Sequence, residues 1–204
     1  WVDFLSSNCE RHLEDHMESP NFRGIRQIAS RHPSEPLLDL HPVDLLKDET
    51  WLENFGLLRK YDLSFDHQIC AHQAEDTVSL ARRYPDTPIV LVHLAFPLER
   101  HYAAIELWRQ NMRLMANCPN IYVKLSGLGM TDFHWSVDSI RTFILHGIEE
   151  FGVDRCMFAS NFPVDSVMSD YDTLFNAFKE VVANYSESEK QKLFHDNAER
   201  IYRL

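Results

Sequence analysis

Several side chains that could do chemistry stand where a packed strand should carry hydrocarbon. Arg26 falls near the end of FRGIRQI, His67 and Gln68 within SFDHQIC, His93 within IVLVHLA and Lys124 within IYVKLSG, and Asn161 closes RCMFASN. Burying an ionisable group without a partner is costly, so several apolar runs breaking the rule together call for a shared reason. Arg, Lys and His are donors or cations suited to a carbonyl or carboxylate oxygen, while Gln and Asn orient water or hydroxyl groups. With two-residue alternation, Lys124 shares a face with Tyr122 and Ser126, His93 with Leu91, and Asn161 with Ala159. Polar groups arriving late in parallel strands converge at the carboxyl edge of the sheet, where α/β folds bind ligands. Each residue also has a plainer reading: His67 and His93 as satisfied core histidines, Arg26 as the partner of a helix carboxylate. Lys124 is the hardest to explain that way, because Lys is almost never fully buried unpaired. His72, in the turn after the second run, would line the rim of a site or sit in a surface loop.

The elements that must hold these groups alternate along the chain. Apolar runs at 22–28, 64–70, 89–95, 121–127 and 155–161 read as strands, nearly continuous as in a parallel sheet covered by helices. Between them, Val78, Leu80, Ala81 and Tyr84, then Ile105, Trp108, Met112 and Met115, then Ile140, Phe143, Ile144, Gly147, Ile148 and Phe151 follow the spacing of helices with one buried face. A helix is expected at 8–18, and two more at 170–184 and 186–195. Ser186 and Glu189 stand at capping-box spacing before the last of these. Residues 30–48, with three prolines, form the longest irregular connection. Repeating βα units in a single domain over 1–204 are the coarse reading. Five units cannot close an eight-stranded barrel, which takes about 250 residues, so an open doubly wound sheet is the alternative on pattern alone. No GxGxxG or GxxxxGK[ST] follows any strand.

Other chemistries find less support. His12 and His16 lack the HExxH arrangement and read as a solvated helix face; Ser126 and Ser160 are not flanked as GxSxG. The four cysteines are scattered without CxxC pairing, as buried reduced thiols would be. Twenty Lys and Arg against 31 Asp and Glu give a net charge of −11, which disfavours nucleic acid or an anionic membrane as partner. No apolar run approaches the roughly 20 residues that span a bilayer. A soluble, cytoplasmic protein is expected. The sequence opens on Trp1 without a leader, which points to a missing beginning.

Taken together, FRGIRQI, LSFDHQI, PIVLVHLAFP at 88–97, NIYVKLSGLG at 120–129, DRCMFASNFPVD at 154–165 and the closing NAERIYRL resemble the amidohydrolase-related family of metal-dependent βα-barrel hydrolases, in its sugar-lactonase branch. The resemblance covers nearly the whole chain. It implies a (β/α)8 barrel represented here by strands four to eight, the first three βα units and their HxH pair being absent. It implies a hydrolase acting on a lactone or related carboxylate ester of a small sugar acid. His93, Lys124 and Asn161 would then be catalytic, and Arg26, His67, Gln68 and His72 would bind substrate. These residues by themselves name no cofactor. Full-length relatives admit a divalent metal such as Zn, for which His93 is the remaining family-type ligand. Where most relatives carry Ser-Asp before an aromatic and Pro, this chain has Asn161, and an amide cannot accept a proton at neutral pH. Asp165, four residues on, would replace that base or, more simply, cap a helix. The alternative is a non-catalytic partial barrel that binds a small acid or associates with another chain through its open sheet edges.

Overall fold

Each apolar run becomes a strand in the computed structural model, which describes residues 1–204. The strands are β1 (Gly24–Ile28), β2 (Ser64–Gln68), β3 (Ile89–Leu91), β4 (Ile121–Leu125) and β5 (Cys156–Phe158). All pairings are parallel and the order is β1-β2-β3-β4-β5. A doubly wound sheet reverses its order at a switch point, whereas neighbours in strict sequence order are the arrangement of a βα barrel. The sheet is therefore five consecutive βα units of a barrel wall, and β1 and β5 each have one strand neighbour.

Helix α1 (Cys9–Met17) precedes the sheet, with His12 and His16 exposed. Between β1 and β2 lie α2 (Glu49–Phe55) and α3 (Leu57–Lys60). Single crossover helices follow: α4 (Ala74–Arg83), α5 (Tyr102–Ala116) and α6 (Val137–Phe151). After β5 come α7 (Tyr171–Val181), α8 (Glu187–Gln191) and α9 (Asn197–Tyr202). The helix starts are capped as the side chains allow: Asp48 accepts from Trp51 N, Asp170 from Thr173 N, and Ser186 with Glu189 forms the reciprocal box. The helix expected over 186–195 does not stop there, because a π-helical turn at Lys192–Asp196 joins α8 to α9. Two short 3₁₀ turns, Pro36–Leu38 and Leu45–Lys47, structure the connection at 30–48.

The sheet's two faces are packed unequally. Ile25, Phe65, Ile89, Leu91, Ile121, Val123, Leu125 and Phe158 point outward into one 44-residue core shared with the helices. In it, Phe4, Trp51, Phe55 and Phe65 meet edge-on or stacked, with ring centroids 5.0–6.2 Å apart. The opposite face carries only Val90, Met157 and Ile201 as a small buried cluster, with Tyr122, Ala198 and Tyr202 packed on it. Thus α9 folds across the inner side of the wall. The four cysteines are buried free thiols, and no helix is long and apolar enough to cross a membrane.

Candidate functional site

Register assembles the site. β1 and β2 align Arg26 with Asp66 and Ile28 with Gln68, so these side chains share the inner face. Across the sheet, Val90 opposite Asp66 and Tyr122 opposite Val90 place Lys124 on that face too. Arg26 Nη2 donates to Gln68 Oε1 at 2.8 Å and lies 3.5 Å from His93 Nε2.

His93 reaches this point by leaving its strand. β3 ends at Leu91, and four consecutive non-glycine residues, His93 to Phe96, take left-handed φ values of 52–57°. Each such residue costs about 1–2 kcal/mol, a strain that clusters at functional sites. The turn breaks the alternation expected from sequence: Leu91 faces the helices, and His93 is swung to the inner side. There its Nδ1 lies 2.9 Å from Ser126 Oγ, just past β4. Gly127, itself at φ 68°, leaves the room, since a Cβ there would collide with His93 Nδ1. The imidazole is 3% exposed, and its pKa is lowered to about 3 by desolvation, then by Arg26 and Lys124. A guanidinium only donates, so Nε2 must accept and Nδ1 carries the proton of the neutral ring. His93 therefore donates to Ser126, whose hydroxyl is not activated as a nucleophile.

Lys124 does not present a free cation. Its Nζ bonds Asp66 Oδ2 at 2.5 Å, while Tyr202 OH donates to Asp66 Oδ1 at 2.5 Å and the ammonium lies 5.0 Å from the Tyr202 ring centroid. Burial, then the Asp66 carboxylate, pushes the Tyr202 phenol far up, so it stays a donor. The sequence reading passed over both partners. Asp66 was visible as a carboxylate inside SFDHQIC; Tyr202, 136 residues away, carried no signal.

Three residues past β5, Asn161 sits at φ 57° and donates through Nδ2 to Asp165 Oδ1 at 2.7 Å. Asp165 caps no helix: it lies in the turn Val164–Val167, 3% exposed, and Asp170 caps α7 instead. Desolvation raises the Asp165 pKa against the opposing Asn161 hydrogen bond. No hydrogen bond or ion pair joins this pair to Arg26 or Lys124.

Two expected residues lie elsewhere. His67 aligns with Gln27 and Leu91, so it faces the helices; fully buried, its Nε2 lies 3.3 Å from Thr77 Oγ1 of α4, and desolvation lowers its pKa to about 3. It belongs to the outer core and not to the inner cluster, because neighbours on a strand face opposite ways. His72 meets His32 edge-on at 5.3 Å and lines an outer cleft with Phe96, Pro97, Glu99 and Trp108. Burial and His32 lower its pKa.

The inner face opens on a cavity of about 400 Å³ lined by Trp1, Arg26, Ile28, Leu40 and His41. A divalent metal does not fit the residues around His93. Its Nε2 faces Arg26, with Lys124 next in electrostatic influence, and the oxygens of Asp66 are engaged by Lys124 and Tyr202. A further cation beside Arg26 and Lys124 would be repelled.

Residues 6–204 match the sequence profile of the family described as Amidohydrolase. An uncharacterized protein, y4mH, of Sinorhizobium fredii (strain NBRC 101917 / NGR234) is 40% identical over 206 residues, covering 100% of this chain and 68% of that protein. An L-fucono-1,5-lactonase of Burkholderia ambifaria is 27% identical, covering 84% of this chain and 56% of its own, and one from Burkholderia multivorans is 26% identical, covering 90% and 65%. The chain thus spans about two thirds or less of these relatives' lengths. In fold it is similar to an amidohydrolase from Burkholderia multivorans solved with bound HEPES, at TM-score 0.87 and 22% identity over 100% of this chain and 72% of that one. A structure from the same organism with bound Zn gives 0.85 at the same identity and coverage.

Proposed function

This chain belongs to the amidohydrolase family, and from that premise we propose that it is a hydrolase of a lactone or related carboxylate ester of a small sugar acid, acting as one domain over 1–204. The observation that carries the reading is that Arg26, which lines a cavity of about 400 Å³, has Gln68 and His93 within 3.5 Å of its guanidinium. The likeness to L-fucono-1,5-lactonases supports the substrate class.

Hydrolysis requires a polarised carbonyl, an attacking water and donors for the oxyanion. Arg26, with donors left over after Gln68, binds the substrate carboxylate or carbonyl oxygen. His93, kept neutral and fixed in one tautomer by Arg26 and Ser126, holds the guanidinium at the rim. Lys124 adds positive potential from within its ion pair with Asp66. Gln68 and the free Oδ1 of Asn161 orient hydroxyl groups or water. A panel of aldono-1,5-lactones, L-fucono-1,5-lactone included, tests the reading by acid release at constant pH. His93→Ala should lower the rate, and equal rates would remove His93 from the chemistry.

The open edges of β1 and β5 favour a second reading, in which the chain binds a small acid without turning it over and associates through those edges. Light scattering separates the two. A monomer with a cooperative melt and lactone turnover speaks against the second reading.

A further inference from the structure

A water attacking a lactone must give up a proton, and the groups named so far take one poorly. The His93 ring offers its lone pair toward Arg26 and is a weak base. Asp66 spends both oxygens on Lys124 and Tyr202. Asn161 is an amide.

Asp165 differs from all three. Asp165 is almost wholly buried and holds no cation, and its side-chain partner is the Asn161 amide on Oδ1. Its second oxygen faces the loop after β4, where a Cβ on Gly129 would stand 3.6 Å from Oδ2, with Met168 beside it. The same loop touches His93 at Gly127. Two residues span at most about 7 Å, so His93 and Asp165 Oδ2 approach the same short segment of chain, at Gly127 and Gly129. Desolvation raises this carboxyl above its usual value, against the Asn161 hydrogen bond, and so makes it a better proton acceptor than an exposed aspartate.

We propose that Asp165, held in place by Asn161, is the general base of the site. This rests on the lactone-hydrolase reading. The water oxygen bonds to the carbonyl carbon as its proton passes to Asp165, and the carbonyl π pair moves to oxygen. As that pair returns, the ring C–O bond breaks and the departing alkoxide takes the proton back from Asp165. Lactone and water become the hydroxy acid, and the carboxylate is regenerated. Asn161 is then a positioning residue that replaces a base by fixing one four residues away.

The test measures kcat, KM and their pH dependence on the lactone panel for the wild type, Asp165→Asn, Asp165→Glu and the double exchange Asn161→Asp with Asp165→Asn. Asp165→Asn is expected to lower kcat about a thousandfold with KM little changed and to abolish the acid limb of the pH profile. Asp165→Glu should retain part of the activity and the limb. The double exchange keeps an amide–carboxylate pair, guards against loss of fold, and should recover at least tenfold over Asp165→Asn with its limb displaced. An active wild type whose Asp165→Asn variant keeps more than a tenth of kcat with the same limb overturns the role of Asp165 alone. A folded wild type inert on every lactone overturns the functional reading, and this role with it.

Discussion

Ser126 accepts the Nδ1 proton of His93 across 2.9 Å, and the direction of that bond is set at the far end of the ring. Arg26, donor-only, stands at 3.5 Å from Nε2 and leaves that nitrogen no role but acceptor. A serine and a histidine in contact thus form a positioning pair in which the histidine donates, the reverse of a nucleophile and its base.

Ser126→Ala should accordingly lower lactone turnover by roughly tenfold through a loosened His93, far short of the ~10⁶-fold loss when a nucleophilic serine is removed. Rapid quench with mass spectrometry is expected to find no acyl-enzyme on the wild type. A covalent adduct at Ser126 would reverse the assignment.

Gly127→Ala asks for a left-handed alanine and drives its Cβ into His93 Nδ1. The backbone alone costs about 1–2 kcal/mol. A lower melting temperature should come with a His93 pKa rising from about 3 toward 6.5 as the ring is pushed from its buried place. An unshifted His93 titration by NMR would contradict the packing described.

Lys124→Met leaves the Asp66 carboxylate with only Tyr202. Both side chains of the ion pair are largely buried, at 18% and 13% exposure, so denaturant melts should register a loss of about 2–3 kcal/mol, below the full cost of an orphaned buried charge. Tyr202→Phe should cost about 1 kcal/mol. A double-mutant cycle returning no coupling between positions 124 and 202 would argue against a shared network.

Acid should destabilise the fold through two histidines. His67 and His93 stay neutral in the folded chain down to about pH 3, whereas unfolded they take a proton below 6.5. Their stabilising contribution is complete above pH 6.5 and is lost as pH falls toward 3, with unfolding drawing in ~2 protons over that window. His67→Gln should remove about one proton from the uptake on unfolding between roughly pH 5 and 6, where carboxyls contribute little, and an unchanged slope there would show that His67 is not the buried neutral ring seen beside Thr77.

The strands were legible because their signal is local. Val90, Val123 and their neighbours form apolar runs that can only be buried, and the residues interrupting those runs, Arg26, Gln68 and Lys124, share one face because side chains alternate along a strand. Ser186 and Glu189 announced a helix start for the same short-range reason. His93 defeated that logic, since a left-handed turn after Leu91 resets which side its ring takes and no pattern of residue types encodes the reset. Barrel order over doubly wound order, Asp66 as the partner of Lys124, and Tyr202 reaching back from the last helix were decided by tertiary structure. Such contacts depend on register between strands and on where a distant helix lands, and these are set by packing the whole core, not by any neighbouring stretch of chain.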